Sequence, residues 1–196
     1  MTVNPHPGKN DAEARILASA AGLFANYGYN GVSTRDVASS AGVNEVTIYR
    51  HYPRKRDLYL AVLDAELQQI KLRGELLARI AEAQDARAAL VHTFELIVST
   101  ILHKPELLRL VQYSTLELGE DIDPLLRKHL GQLVEVVAGY VQPWVAKGAL
   151  RSSNAKALIV TLIAIVFSHP SLNRIFRGSD SSPEILFEAI AEFCVA

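Results

Sequence analysis

The sequence predicts an all-α chain, and three observations carry that expectation. Apolar residues recur every three or four positions from Asp11 onward, the period of a helix face and not of a strand. The breaks between these stretches hold Gly, Pro, Asn and Asp, which end or cap helices. An apolar fraction of 49% against 21% charged residues is that of a folded globular chain. With 196 residues there is length for one ordinary domain and a small one, so a core needs neither metal nor disulfide.

The first helix, 11–27, sets Ile16, Leu17, Ala20, Leu23, Phe24 and Tyr27 along one stripe and stops at Gly28. Ser33 or Thr34 can cap a short helix reaching about Ala41; Gly42 supplies a turn, and Asn44 can cap a second short helix reaching about His51. Further helices are expected near 57–82, 86–103, 105–118, 124–147, 154–168 and 183–195. Asp85, Lys104-Pro105, the stretch from Gly119 to Pro124, Gly148 and the stretch from Gly178 to Pro183 supply the breaks. Pro143 falls inside a helical pattern, so a lost backbone hydrogen bond and a kink are expected near 139–143. There is no internal repeat and no low-complexity tract.

Charge is distributed unevenly. Up to Arg56 there are seven bases against four acids, a net of +3, which leaves −4 for the rest of a chain whose total is −1. Three of the bases, Arg54, Lys55 and Arg56, are consecutive, so the N-terminal quarter suits a polyanion and the remainder does not. The longest apolar run, between Ala157 and Phe167, is 11 residues with a Thr inside it, about half of the roughly 20 a bilayer requires. The first ten residues carry Pro, His and Gly where a secretory leader needs an apolar run, and Cys194 has no second cysteine to pair with. These features set the expectation of a cytoplasmic protein without a membrane partner. No nucleophile elbow, phosphate-cradling glycine loop or His-x-x-x-His pair is present, so the expectation is no enzyme, no cofactor and no metal.

Residues 33–52, STRDVASSAGVNEVTIYRHY, have the pattern two crossing helices require. Ala38 is small where the helices touch, and Val37, Val43 and Ile48 turn toward the first helix. The outer face of the second short helix then offers Glu45, Val46, Thr47, Tyr49 and Arg50, a mixture of hydroxyl, phenol and guanidinium suited to a major groove. Thr34 and the amides beside it can hold a phosphate, as can Lys55 and Arg56 on the other side.

Gly28 with Gly31, Ser33-Thr34, Val37-Ala38, Ala41-Gly42-Val43, Thr47-Ile48-Tyr49, His51-Tyr52, and Lys55 followed by Leu58 resemble, as a set, the TetR family of bacterial transcriptional regulators. The resemblance spans about residues 11–63; beyond it only a set of helices of suitable length and the turn Gly148-Ala149-Leu150 are familiar. It implies a segment 1–10, a three-helix DNA-binding domain with a helix-turn-helix over 11–56, and a helical ligand-binding and dimerisation domain over 57–196, with 57–82 as connecting helix. It places Thr34, Tyr49 and Lys55 on phosphates and Arg35, Glu45, Val46 and Thr47 at bases, with Arg50 and His51 completing the set. Arg35 is the sharpest base reader, since a guanidinium paired with guanine O6 and N7 is worth about 1–3 kcal/mol of discrimination. Three departures stand out: Glu45 brings a negative charge to the duplex, Val46 replaces a common Gly, and Arg54 replaces a common Ser or Asn cap, leaving Asp57 without a capping-box partner.

One helix-turn-helix makes few base contacts, so a homodimer on palindromic double-stranded DNA is expected. The helix between Ala157 and Phe167, apolar nearly all round, and a C-terminal helix carrying Ile185, Leu186, Ile190 and Phe193 are the expected seam. The resemblance also implies a small-molecule effector, mainly hydrophobic or aromatic, with His103, Tyr113, Glu117 and Trp144 as lining candidates and a repressor as the outcome. Glu45 and the nearly neutral total charge keep a second reading open, a helical binding or interaction protein that no longer reads DNA.

Overall fold

The computed structural model describes residues 9–102, 104–175 and 183–196. Among them run the helices α1 (Lys9–Tyr27), α2 (Thr34–Ala41), α3 (Glu45–His51), α4 (Lys55–Gln68), α5 (Gly74–Ala81), α6 (Ala86–Ile101), α7 (Pro105–Glu117), α8 (Asp123–Ala146), α9 (Ala155–Ile175) and α10 (Pro183–Cys194), with a 3-10 turn at Gly119–Ile122. The fold is all-α, with an N-terminal helix-turn-helix and a helical C-terminal part. Its one β-type pairing among the described residues is an isolated antiparallel bridge between Leu150 and Val195. Lys9 and Asn10 already lie in α1, and the remainder of the 1–10 segment lies outside the described residues, as do residues 178–182 of the expected break.

The described chain forms two compact units. The first joins α1 to α4 with α7 and the 3-10 turn; the second holds α5, α6 and the chain from Leu126 onward. In the first, α1 packs on α2, α4 and α7 around the fully buried Ile16, Phe24, Ile48, Leu58, Tyr59 and Leu63. In the second, Ile80, Leu90, Phe94, Leu96, Val141, Ile159, Leu162, Phe187 and Ala191 form one continuous core, with the Phe94 and Phe187 rings stacked at 4.5 Å.

The expected helix 57–82 is two helices. Residues 69–73 separate α4 from α5, and the boundary between the units falls here, after Gln69. A continuous helix presents one stripe to one core, yet Leu67 is buried in the first unit and Ile80 in the second. Gly74, with the poorest helix propensity short of proline, stands at the start of α5 rather than in mid-helix. Two smaller differences concern ends: α9 runs to Ile175, past the expected 168, because a fading apolar stripe is not itself a stop signal. Pro143 lies within α8, which continues to Ala146.

Candidate nucleic-acid interface

The helix-turn-helix is built by caps. Ser33, not Thr34, begins α2: its Oγ accepts the Asp36 N–H at 3.1 Å, while the Asp36 carboxylate accepts the Ser33 N–H at 2.9 Å and its hydroxyl at 2.6 Å. Those bonds from Ser33 hold the Asp36 carboxyl below the usual carboxylate range. Gly42 ends α2 in the left-handed region at φ 64°, and the Val43 N–H closes on the Ala38 carbonyl at 3.0 Å. Asn44 Oδ1 then accepts the Val46 N–H at 2.9 Å and starts α3. Ahead of these elements, Gly31 passes so close to the Tyr27 carbonyl oxygen that a Cβ there would collide with backbone.

This frame aims α3 outward. Ile48 is fully buried beneath it, while Val46 is 73% and Tyr49 46% exposed and Arg50 also faces solvent. Arg35 is exposed at the start of α2, and Thr47 is half-buried. Glu45 is half-buried and tied down: Thr34 Oγ1 donates to Glu45 Oε1 at 2.6 Å and lies 3.0 Å from the Tyr49 hydroxyl. Thr34 itself is buried. His51 turns away from this face, its side chain only 6% exposed, with Nδ1 3.8 Å from Glu13 Oε2 of α1 and Nε2 buried without a partner. Glu13 also accepts the Tyr52 hydroxyl at 3.1 Å; burial and this carboxylate push the Tyr52 phenol up to about 12.

The basic run after α3 is divided by its contacts. Lys55 Nζ lies 4.2 Å over the ring of Tyr29, and desolvation draws its pKa down against the opposing charge of Glu117. Arg56 pairs with Asp121 at 2.9 Å. Arg54 turns onto Asp57 through Nε at 3.0 Å and Nη2 at 2.9 Å, and Asp57 also accepts the Arg54 N–H at 3.1 Å. The expectation that Asp57 lacks a partner is therefore corrected. An arginine offers no acceptor to the N3 amide, but its two-pronged ion pair and its own amide hold the carboxylate in place.

Of the lining candidates, Tyr113 and Glu117 lie in the first unit and Trp144 in the second, while His103 lies outside the described residues. Glu117 Oε2 accepts the Asn30 N–H at 2.9 Å, and both side chains border the Gly28 turn. Trp144 carries Lys147 Nζ at 5.2 Å from its ring. Sequence reasoning passed over Tyr29, the seat of Lys55, which also meets Tyr59 edge-on at 5.5 Å, and Arg109, whose Nε donates to the Ala25 carbonyl at 2.9 Å. An aromatic in a Gly-Tyr-Asn-Gly turn carries no periodic signal, and a contact across 84 residues carries none at all.

Residues 16–62 match the family model of bacterial regulatory proteins, tetR family. This match and the solved neighbours support a TetR-family regulator. Its relatives are transcriptional regulators over most of its length, and the same findings support DNA binding. An uncharacterised HTH-type transcriptional regulator of Mycobacterium tuberculosis (strain ATCC 25618 / H37Rv) is 28% identical over 158 residues, 81% of this chain and 79% of its own. One of Bacillus subtilis (strain 168) is 22% identical over 155 residues, 79% of each chain. Among solved structures, a transcriptional regulator from Saccharomonospora viridis in complex with choline has a TM-score of 0.66 at 25% identity, covering 95% of this chain and 99% of that one. HlyIIR, a hemolysin II transcriptional regulator, shares the fold at a TM-score of 0.67 and 17% identity, covering 96% and 99%. No helix among the described residues is long and apolar enough to cross a membrane.

Proposed function

We propose that the chain is a homodimeric repressor that reads a palindromic operator through α2 and α3 and leaves it when a small, mainly hydrophobic or aromatic ligand binds the second unit. The observation that carries the DNA half is the outward face of α3: Val46 and Tyr49 are large side chains that no core covers, set beside Arg50 and the exposed Arg35. Arg35, Val46 and Thr47 are assigned to bases, Tyr49, Thr34 and Lys55 to phosphates, and Arg50 to the groove edge. His51, enclosed against Glu13, is assigned to positioning α3 on α1.

The dimer half rests on α9 and α10. Ala157, Val160, Thr161, Ala164 and Ser168 leave one face of α9 exposed while Leu158, Ile159, Leu162 and Val166 bury the other. On α10, Phe193 is 75% exposed and Ile185 half-exposed, whereas Ile190 packs against the core; the side chain of Leu186 lies outside the described residues. Two exposed helix faces on one unit that carry apolar side chains are what a four-helix seam about a two-fold axis covers. For the ligand half, the Saccharomonospora viridis relative was solved with choline, a small organic molecule, and Trp144 is the lining candidate retained in the second unit. Tyr113 and Glu117 are assigned instead to the turn that follows α1. The regulator is expected to act in the cytoplasm.

Enrichment of random duplexes, followed by titration over a salt series, tests this reading. A dimer should select two half-sites about one helical turn, roughly 34–36 Å, apart. Affinity should fall steeply with salt, and Lys55→Ala should reduce the slope of log K against log salt by about one. A monomer by sedimentation, or a flat salt response with no selected sequence, would overturn it.

A further inference from the structure

Glu45 occupies a place a nucleic-acid phosphate would want. Its carboxylate sits 2.6 Å from Thr34 Oγ1, and that oxygen sits 3.0 Å from the Tyr49 hydroxyl. A carboxylate only accepts, so the single Thr34 proton goes to Glu45, and the contact with Tyr49 is satisfied only if the phenol donates to Thr34. Both hydroxyl protons are then committed inside the chain, and neither is available to an incoming phosphate oxygen. A phosphate reaching Thr34 must displace the carboxylate; one reaching Tyr49 must leave Thr34 short of its donor while a fixed negative charge stands one hydroxyl away. The partial positive charge at the start of α2 is likewise already answered by Asp36 within its capping box.

We infer that Glu45 is an internal stand-in for a backbone phosphate, a positioning and specificity residue that docks α3 on the start of α2 in the free protein and sets a threshold against DNA of any sequence. This rests on the reading of Thr34 and Tyr49 as phosphate contacts, and it replaces the expectation, implied by the resemblance, that Glu45 meets a base. Because what the carboxylate opposes is common to every nucleotide, the threshold is blind to bases. Only sites where Arg35, Val46 and Thr47 find good partners overcome it, which suppresses loose binding in favour of the operator. The tie also runs between helices eleven residues apart in sequence, so it fixes the crossing of α2 and α3 before any duplex arrives.

The test is a double-mutant cycle of Glu45→Gln and Thr34→Val, each variant titrated on the enriched duplex and on a scrambled one, with circular dichroism confirming the fold. Glu45→Gln should raise affinity by about fivefold on both duplexes, the scale of a partly exposed charge contact, and the gain should shrink several-fold when Thr34 is already Val. Glu45→Ala should move affinity in the same direction, so a poorly folded Gln variant leaves the test intact. A loss of affinity on the enriched duplex with a changed preference at one base pair would make Glu45 a base reader and overturn the inference. An equal gain with and without the Thr34 hydroxyl, or no gain, would overturn it too. In all of these outcomes the wild type still binds its enriched duplex; failure of the wild type to bind any duplex would instead sink the DNA assignment beneath it.

Discussion

The two units are closed by different kinds of contact. In the first, helices far apart in sequence meet through directional polar bonds: Tyr59 donates its buried hydroxyl to the Leu110 carbonyl at 2.8 Å, Glu117 takes the Asn30 N–H, and Arg109 reaches the Ala25 carbonyl. In the second, the helices share an unbroken apolar core, and ion pairs such as Arg79 with Glu95, Lys156 with Glu135 and Arg87 with Glu188 lie at exposed positions, where they contribute little. Apolar packing is strong but carries little orientation; hydrogen bonds are modest in net energy but fix register. A unit that must present α3 at a defined angle uses the second kind, and a unit proposed to bind a partner copy or a small molecule can rely on the first.

The largest effect expected from that contrast is in the second unit. Phe94→Ala removes a buried ring stacked on Phe187 and should cost about 3–5 kcal/mol of unfolding free energy in denaturant titration. Tyr59→Phe, in the first unit, keeps the ring that packs against Phe24 at 4.8 Å and deletes the hydroxyl that bonds Leu110, whose carbonyl keeps its helical partner, and that also interacts with Ser114. Its cost should be about 1 kcal/mol, measured the same way. The sharper readout for Tyr59→Phe is DNA affinity, which should drop even where stability hardly moves. Equal stability losses for the two variants, with DNA binding unchanged in Tyr59→Phe, would erase the distinction between the units.

Local rules explain what could be read from the chain beforehand. The caps at Ser33 and Asn44, the turn at Gly42, the buried Val37, Ala38 and Ile48 and the outward Val46, Tyr49 and Arg50 depend on neighbours within a few residues. All of them were legible, except that the sequence left the first cap open between Ser33 and Thr34. What the sequence did not disclose depends on helices meeting across tens of residues. The break after α4 arises because its two flanks serve different cores, which no single apolar stripe reveals. Glu117 and Tyr113, four apart and polar on an apolar face, read from sequence as a ligand wall; that they border the Gly28 turn depends on the position of α7 against α1. His51 had the composition of a DNA contact, and its enclosure by Glu13 is a tertiary fact. Lys55 is a candidate by motif, and the Tyr29 ring beneath it appears only in the structure.

The smallest effect concerns alkaline pH. The Tyr52 phenol is buried and bonded to Glu13, which raises it from 10.0 to about 12 in the folded chain. Burial also raises the Tyr59 phenol. Between pH 10 and about 12 the unfolded chain has released the Tyr52 proton and the folded chain has not, so the unfolded state binds fewer protons and stability falls as pH rises. The stabilisation from holding that proton is thus complete below pH 10 and lost on passing through about 12. Tyr52→Phe removes one of the two tyrosines that act this way, so the slope of unfolding free energy against pH should become shallower over that window, while at neutral pH the variant loses only the Glu13 bond, about 1 kcal/mol. Denaturant midpoints collected from pH 8 to pH 12 would show it. An unchanged slope would mean that Tyr52 opens to solvent along with α3, and that the polar closure of the first unit yields where α3 meets α1 before it yields at Tyr59.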